Sequence, residues 1–275
     1  KKVEAASTGK LSVTGYQDYS DAQKILKEVN KYRKKNGRKT LKMDRGLTNS
    51  AIMRGFETTI YIPETSPHRR PNGKLSKSIN KKIIYENCAQ SAGTTLKQIV
   101  KGWINSSTHR KGLLLSNAKS VGVAAVTVVS RDGYEANTWV LDFSSSKAKK
   151  VEKSKARKQF TKNIVTKNSY LKKSYLKLDS RYGTIWETEK MQMKPTYQGK
   201  MMKEYGVYPT VINASSFASW KSSNPSVASV DSNGRITGNK AGTATISAKL
   251  KTGTKITISK KIKVVPTNQQ IDPWE

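Results

Sequence analysis

Apolar residues in the first part of the chain recur at the three- and four-residue spacing of an α-helix. The residues that follow this spacing are Ile25, Leu26, Val29 and Tyr32. A Ser-x-x-Gln capping box at residues 20–23 predicts where the helix begins, and the Asn-Gly pair at 36–37 predicts where it ends. Residues 1–19 show little helical periodicity, so we expect a loose lead-in before this helix.

Two further helices are predicted in the same part of the chain. One runs from about Thr48 to Thr59, with its inner side formed by Leu47, Ala51, Ile52 and Phe56. The other starts at a Thr-x-x-Gln capping box over residues 95–98. Its apolar positions are Leu96, Ile99, Val100 and Trp103.

β-Branched segments follow the helices. Residues 121–129 and 138–143 are predicted strands, and the Arg-Asp-Gly sequence at 131–133 predicts the turn between them. Helices followed by an antiparallel strand pair indicate an α+β domain over residues 20–146.

The pattern changes after this point. Residues 147–162 are rich in lysine and predict a solvated basic linker. From residue 163 to 266, short alternating segments separated by Gly and Asn-Gly turns predict an all-β sandwich, and residues 267–275 are left as a C-terminal tail.

The charge of the chain indicates what kind of partner it binds. It holds 52 Lys and Arg against 19 Asp and Glu, a formal net charge of +33. Such a surface attracts polyanions, so an anionic cell-wall or host polymer, or a host surface partner, is expected. Because the excess is mostly Lys and base readout favours Arg, sequence-specific nucleic-acid binding is not expected.

Two absences in the sequence limit the class of protein. No apolar run approaches the roughly 18 residues of a membrane span. Cys88 is the only cysteine, so no disulfide can form within these residues, and we expect a small buried thiol. The chain opens without an apolar signal segment, as a mature secreted form would.

Candidate chemistry is concentrated between residues 67 and 115. His68 and His109 are the only two histidines, and a Glu-Asn pair at 86–87 lies between them. Their spacings fit no helical metal motif, so these three segments would meet only through tertiary folding.

The first domain resembles the CAP superfamily (SCP/PR-1-like domains) in its bacterial form. The resemblance rests on seven sequence blocks in the family's order. They are residues 30–33, 41–47, 51–57, 68–73, 86–89, 103–110 and 121–123, followed by an aromatic strand at 139–143. The family implies an α-β-α sandwich with a groove.

The second half is similar to a group 2 bacterial Ig-like domain. Trp-Lys-Ser-Ser-Asn-Pro-Ser-Val-Ala-Ser-Val-Asp at 220–231, the Gly-Arg-Ile-Thr-Gly run at 234–238 and Ala-Gly-Thr-Ala-Thr-Ile at 241–246 carry this resemblance. It implies an immunoglobulin-like sandwich that serves as a spacer or an adhesion module.

The CAP resemblance also implies site residues. Carried over by motif, His68, Glu86 and His109 form a candidate site for a divalent metal, with zinc the first choice for two imidazoles and a carboxylate. Glu57 is a further carboxylate, and Arg70 and Arg110 are candidates to bind an anionic ligand group. The plainer alternative is that both histidines hydrogen-bond nearby carboxylates and stabilise loops.

The combined prediction is a secreted or cell-surface bacterial interaction protein, with a binding role favoured over an enzymatic one. Two alternatives stay open. One is a metal-dependent hydrolase at the groove of His68, Glu86 and His109, and the other is lipid or sterol binding, as the resemblance to CAP proteins allows.

Overall fold

The computed structural model describes residues 8–60, 68–91, 93–180 and 182–270. Residues 14–162 form one compact unit, and the remaining described residues form a second. Parts of three expectations lie outside the described residues: the first seven residues of the lead-in, Pro67, and residues 271–275 of the tail. None of the helices in the described ranges is long and apolar enough to cross a membrane.

The first unit is built on a six-stranded sheet. Its strands are β1 (Thr8–Asp18), β2 (Lys42–Met43), β3 (Tyr85–Ser91), β4 (Ser120–Val129), β5 (Glu135–Ser144) and β6 (Arg157–Lys167). Residues 8–13 of β1 and 163–167 of β6 belong to the second unit. The strand order is β3-β5-β4-β1-β6, and β2 pairs parallel to β4. Four helices accompany the sheet: α1 (Tyr19–Lys35), α2 (Arg45–Thr58), α3 (Leu96–Asn105) and α4 (Ser107–Leu113).

The helices cover both faces of this sheet. α1, α3 and α4 pack on one face around an apolar core to which Ile25, Trp103, Leu113, Val123 and Leu141 belong. α2 packs on the other face, where a Cβ on Gly55 would lie 2.7 Å from Cγ2 of Val126. The expected α-β-α sandwich is confirmed.

The expected lead-in is wrong over residues 8–18, which form strand β1. Leu11 and Val13 are fully buried and alternate with less buried residues, so the segment follows the two-residue period of a strand. The end of β1 also caps the next helix, because Asp18 accepts a hydrogen bond from the Asp21 amide at 2.9 Å. The predicted Ser20 cap is therefore wrong by two residues.

Other helix ends agree with the sequence to different degrees. α2 begins at Arg45, three residues before the predicted start, because Asp44 accepts a hydrogen bond from the Leu47 amide at 2.9 Å. The capping box of α3 is confirmed at Thr95 and Gln98. Strand β3 and helix α4 were not predicted, since β3 is rich in polar residues and α4 has only seven residues.

The expected solvated linker (residues 147–162) is wrong in two places, at residues 151–152 and from Arg157 onwards, where β6 begins. Glu152 is buried, and its Oε2 accepts a hydrogen bond from Nε of Arg45 at 2.9 Å. Val151 forms a β-bridge with Asp44, and regular strand structure resumes at Arg157. The single acid among the lysines of this segment therefore attaches it to the first unit.

The second unit is rich in short strands. They are β7 (Leu176–Asp179), β8 (Thr184–Trp186), β9 (Lys190–Gln192), β10 (Lys194–Tyr197), β11 (Thr210–Val211), β12 (Phe217–Ser222), β13 (Ala228–Val230), β14 (Arg235–Gly238), β15 (Gly242–Leu250) and β16 (Thr257–Val265), with one short helix, α5 (Lys200–Glu204). They form sheets β12-β15-β16-β8, β13-β14-β9 and β11-β10-β7. Gly234 has φ +73°, as the Asn-Gly turn between β13 and β14 requires. The expected all-β sandwich is confirmed.

Candidate functional site

A buried arginine lies at the centre of the candidate site. The guanidinium of Arg54 donates to Glu57 Oε2 at 3.0 Å and to both carboxylate oxygens of Glu86 at 2.9 and 3.2 Å. The three side chains are exposed by 1%, 0% and 2% respectively. Two carboxylates on different elements are thus joined by one fork of N–H donors.

Local structure explains why these groups meet. Arg54 and Glu57 are three residues apart on α2 and share one side of the helix. Glu86 and Cys88 are two residues apart on β3, so they point to the same face of the sheet. α2 packs on that face, which places the helix residues over the strand residues.

A tight turn in the loop after α2 adds a histidine and a second arginine. The amide of Ser76 donates to the carbonyl of His68 at 2.8 Å, and Gly73 takes a positive φ of +83°. His68 Nδ1 lies 3.0 Å from Glu86 Oε1, and Nη2 of Arg70 donates to Glu57 Oε1 at 2.7 Å. We call Arg54, Glu57, His68, Arg70 and Glu86 the ion cluster.

The second histidine lies on α4 and is held by its own helix cap. His109 Nδ1 is 2.9 Å from Oγ of Ser106, the N-cap residue of α4. Burial, and then electrostatic repulsion from His68, lower the pKa of His109, which favours its neutral form. Arg110 donates to the carbonyl of Ile104 at 3.0 Å, a contact at the end of α3 rather than in the ion cluster.

The ion cluster opens onto a groove of about 310 Å³. Its lining residues are His68, Leu75, Ser76, Lys77, Ile83, Ile84, Tyr85, Glu86 and Thr108. His68 is the most exposed member of the cluster, with about a third of its side chain (32%) accessible. Tyr85 borders the groove and donates its hydroxyl to the carbonyl of Thr108 at 2.9 Å.

Three side chains, two of which line this groove, could hold a metal. Potential ligand atoms of His68, Glu86 and Cys88 lie within 4.8 Å of one another, and His109 is not in this group. Nitrogen, oxygen and sulfur donors suit zinc in kind. Two features weaken the fit: burial raises the pKa of the Cys88 thiol, and Glu86 already pairs with Arg54.

The charge state of Glu86 follows from its partners. Burial alone would raise its pKa, but the hydrogen bond with His68 and the charge of Arg54 outweigh burial and lower the pKa to about 2. Glu86 is therefore ionised at neutral pH, and its negative charge balances the buried guanidinium.

Asp142 is a buried carboxyl that sequence reasoning missed. It lies on β5 directly opposite Glu86 on β3, and neither of its side-chain oxygens has a hydrogen-bond partner among the described residues. Burial, and then the negative charge of Glu86, raise the pKa of Asp142 well above its ordinary value. An acid inside the apolar run 139–143 was the signal that could have revealed it.

We expect Asp142→Asn to stabilise the protein at neutral and alkaline pH. Because the pKa of Asp142 is raised on folding, the wild type loses stability as the pH rises from its unfolded pKa towards its folded pKa. Asn cannot ionise, so the advantage of the variant should grow with pH and vanish near pH 3. Urea unfolding at several pH values measures it, with exposed Asp132→Asn as control. If the difference in free energy of unfolding between Asp142→Asn and the wild type does not vary with pH, the raised pKa of Asp142 is contradicted.

Sequence reasoning found part of this site. His68, Glu86, Glu57 and Arg70 were singled out, and the structure brings all four together. The sequence did not identify Arg54 as the common partner of Glu57 and Glu86, and it did not place Cys88 among the candidate metal ligands. An arginine three residues before a glutamate on a predicted helix was the signal for Arg54.

Two family models match the chain. Residues 26–143 match the cysteine-rich secretory protein (CAP) family, and residues 193–262 match the group 2 bacterial Ig-like domain. Both resemblances drawn from the sequence are therefore confirmed. The chain carries a CAP domain followed by a bacterial Ig-like domain.

Comparison with individual proteins gives partial matches. The chain is 30% identical over 130 residues to the uncharacterised protein YkwD of Bacillus subtilis, covering 46% of this chain and 48% of that protein. The chain thus matches about half the length of this curated relative.

Solved structures also match in part. An outer surface protein of Borrelia burgdorferi is 17% identical with a TM-score of 0.36, and the match covers 47% of this chain and 98% of that protein. An extracellular protein with an SCP domain from Bacillus anthracis is 19% identical with a TM-score of 0.34, and the match covers 46% of this chain and 41% of that protein.

Proposed function

We propose that this pairing of a CAP domain with a bacterial Ig-like domain acts at the bacterial surface or outside the cell, as an interaction protein for an anionic polymer. The observation that carries the proposal is the charge: 52 basic against 19 acidic side chains leave a net charge of +33. A surface of this charge concentrates polyanions near it. The Ig-like domain supports an adhesion or spacer role, which its family resemblance implies.

The geometry of the ion cluster argues against its two carboxylates acting as general bases. Glu57 accepts from Arg54 and Arg70, and Glu86 accepts from Arg54 and contacts His68. A general base needs a carboxylate or imidazole that is free to take a proton from a substrate. Both carboxylates of the cluster are paired with arginine, which supports a structural role for them.

A divalent metal, with zinc the first choice, is a second candidate for the groove. His68, Glu86 and Cys88 would hold it, and a metal there would make a bound water more acidic, as hydrolases require. The metal-dependent hydrolase therefore remains the alternative function. In the chain itself, His68 would position a ligand in the groove, and Arg54 would hold Glu86 in place.

We expect zinc to bind this group weakly, and more tightly as the pH rises, because the Cys88 thiol must lose its proton to ligate. Calorimetric titration should show one site that is lost in His68→Ala and Cys88→Ser. His109→Ala is the matched control and should keep the site, since His109 lies outside the group.

Two outcomes of this titration would count against the assignment. Loss of zinc in His109→Ala with retention in Cys88→Ser would favour the set expected from the sequence instead. A wild type that binds no zinc would remove the metal and the metal-dependent hydrolase together.

The interaction proposal predicts salt-sensitive binding to an anionic polymer. The full chain should be retained on immobilised heparin at low salt, released as salt rises, and not retained on neutral dextran. The His68→Ala/His109→Ala double variant should bind heparin like the wild type, because the charge, not the groove, carries the interaction. A wild type that fails to bind heparin at low salt would refute the proposal.

A further inference from the structure

One surface of the second unit concentrates lysine without any acid. β12, β15 and β16 lie side by side, and their inward residues form a buried apolar layer to which Ala244, Ile246, Ala248, Ile258, Ile262 and Val264 belong. The opposite face carries four exposed lysines, one from β12, one from β15 and two from β16. We call Lys221, Lys249, Lys261 and Lys263 the lysine face.

The positions between these lysines carry hydroxyl groups. The outward residues of the three strands include Ser219, Thr243, Thr245, Ser247, Thr257 and Ser259, and at the end of β16 Val265 is buried and pairs with Trp186 of β8. The three strands contain no Asp, Glu or Arg. None of the four lysines forms an ion pair with any residue that the structure describes.

Strand register sets the spacing of the charges. Lys221 lies opposite Ser247, two residues before Lys249 on the neighbouring strand, so their Cα atoms are about 8 Å apart. Lys261 and Lys263 are about 7 Å apart along β16. Ser259 lies opposite Ser247 and separates the two pairs. Two pairs of lysines thus lie on one face of the sheet with hydroxyl residues between them.

We propose that the lysine face binds a linear anionic polysaccharide. Ammonium groups pair with the carboxylates or sulfates of such a chain, and Ser and Thr hydroxyls both donate to and accept from sugar hydroxyls. A nucleic acid fits less well, because the three strands carry no Arg fork for phosphates. The exposed ring of Trp186 on the adjacent strand β8 is a single stacking surface, and its indole N–H already donates to the carbonyl of Gln269. The inference rests on the proposed function and locates it on one sheet.

The test compares two variants of the full chain with equal charge. Lys221, Lys249, Lys261 and Lys263 are changed to Gln in the first. In the control, four exposed lysines elsewhere in the same unit, Lys173, Lys177, Lys190 and Lys240, are changed to Gln. The dissociation constant for soluble heparin at about 0.1 M salt should rise at least about tenfold in the first and at most about twofold in the control. For polygalacturonate, a carboxylated glycan, the dissociation constant should likewise rise more in the first variant than in the control.

Each outcome bears on a separate statement. Equal losses in both variants would overturn the lysine face and leave the proposed function standing. A wild type that binds neither glycan would overturn both. Duplex DNA that binds the wild type as tightly as heparin, with the same loss in the first variant, would overturn the assignment to a polysaccharide.

Folding of the variants can be checked independently. All eight lysines are exposed, so both variants should keep the thermal unfolding midpoint of the wild type. If the first variant does not fold, the single changes Lys261→Gln and Lys263→Gln should each weaken heparin binding by about two- to threefold. Single variants that bind like the wild type would overturn the proposal.

Discussion

Replacing Arg54 with Ala is expected to destabilise the first unit by about 3–5 kcal/mol, because it leaves two buried carboxylates without their common partner. Glu57 is fully buried and keeps the guanidinium of Arg70, while Glu86 keeps His68 and a hydrogen bond with Cys88. The effect combines the loss of three charge-assisted hydrogen bonds with the cost of uncompensated buried charge.

The measurement is urea unfolding followed by helical circular dichroism. That signal reports mainly the first unit, since α1 to α4 lie in residues 14–162. Arg54→Lys keeps the positive charge but not the fork of N–H donors, so it should lose less stability than Arg54→Ala. Arg131→Ala is the exposed control and should change stability by no more than about 0.5 kcal/mol.

The outcome also tests what the ion cluster does. If Arg54→Ala unfolds at the same urea concentration as the wild type, the cluster does not stabilise the fold and its charge pairs must serve the groove instead. A folded Arg54→Ala variant should then be titrated with zinc, since Glu86 would be free of its arginine partner.

Gly122→Ala is expected to destabilise the first unit by about 1–3 kcal/mol or more. A Cβ at this position would collide with the backbone carbonyl of Leu47 and lie 2.6 Å from the amide nitrogen of Thr48. Both contacts are with the backbone of α2, so no side-chain rotation can relieve them. The helix would have to move away from the sheet, which would also shift Arg54 relative to Glu86.

Gly102→Ala is the matched control for this substitution. Gly102 lies inside α3 and a Cβ there would meet no atom within 4 Å, so helix propensity should stabilise the variant by about 0.5–1 kcal/mol. Thermal unfolding of both variants gives the comparison. Equal midpoints for Gly122→Ala and Gly102→Ala would show that α2 does not pack against Gly122 as closely as the structure indicates.

Local signals predicted the elements whose ends are set by nearby residues. The capping box of α3 needs only Thr95 and Gln98, and the turn between β4 and β5 needs only Gly133, which has φ +85°. β3 escaped prediction because Glu86, Asn87 and Gln90 break the apolar alternation of a strand. These polar residues are stable there only because distant parts of the chain supply their partners.

The sequence by itself determined the order of the two domains, the large positive charge and the residue types of the candidate site, because composition and motif order need no coordinates. Tertiary structure alone decided the charge partners. Arg54, Glu86 and Asp142 lie on α2, β3 and β5, and their pKa values depend on burial and on separations of a few ångströms. Strand register likewise decided that lysines of β12, β15 and β16 share one face, since a shift of one residue would move each to the opposite side.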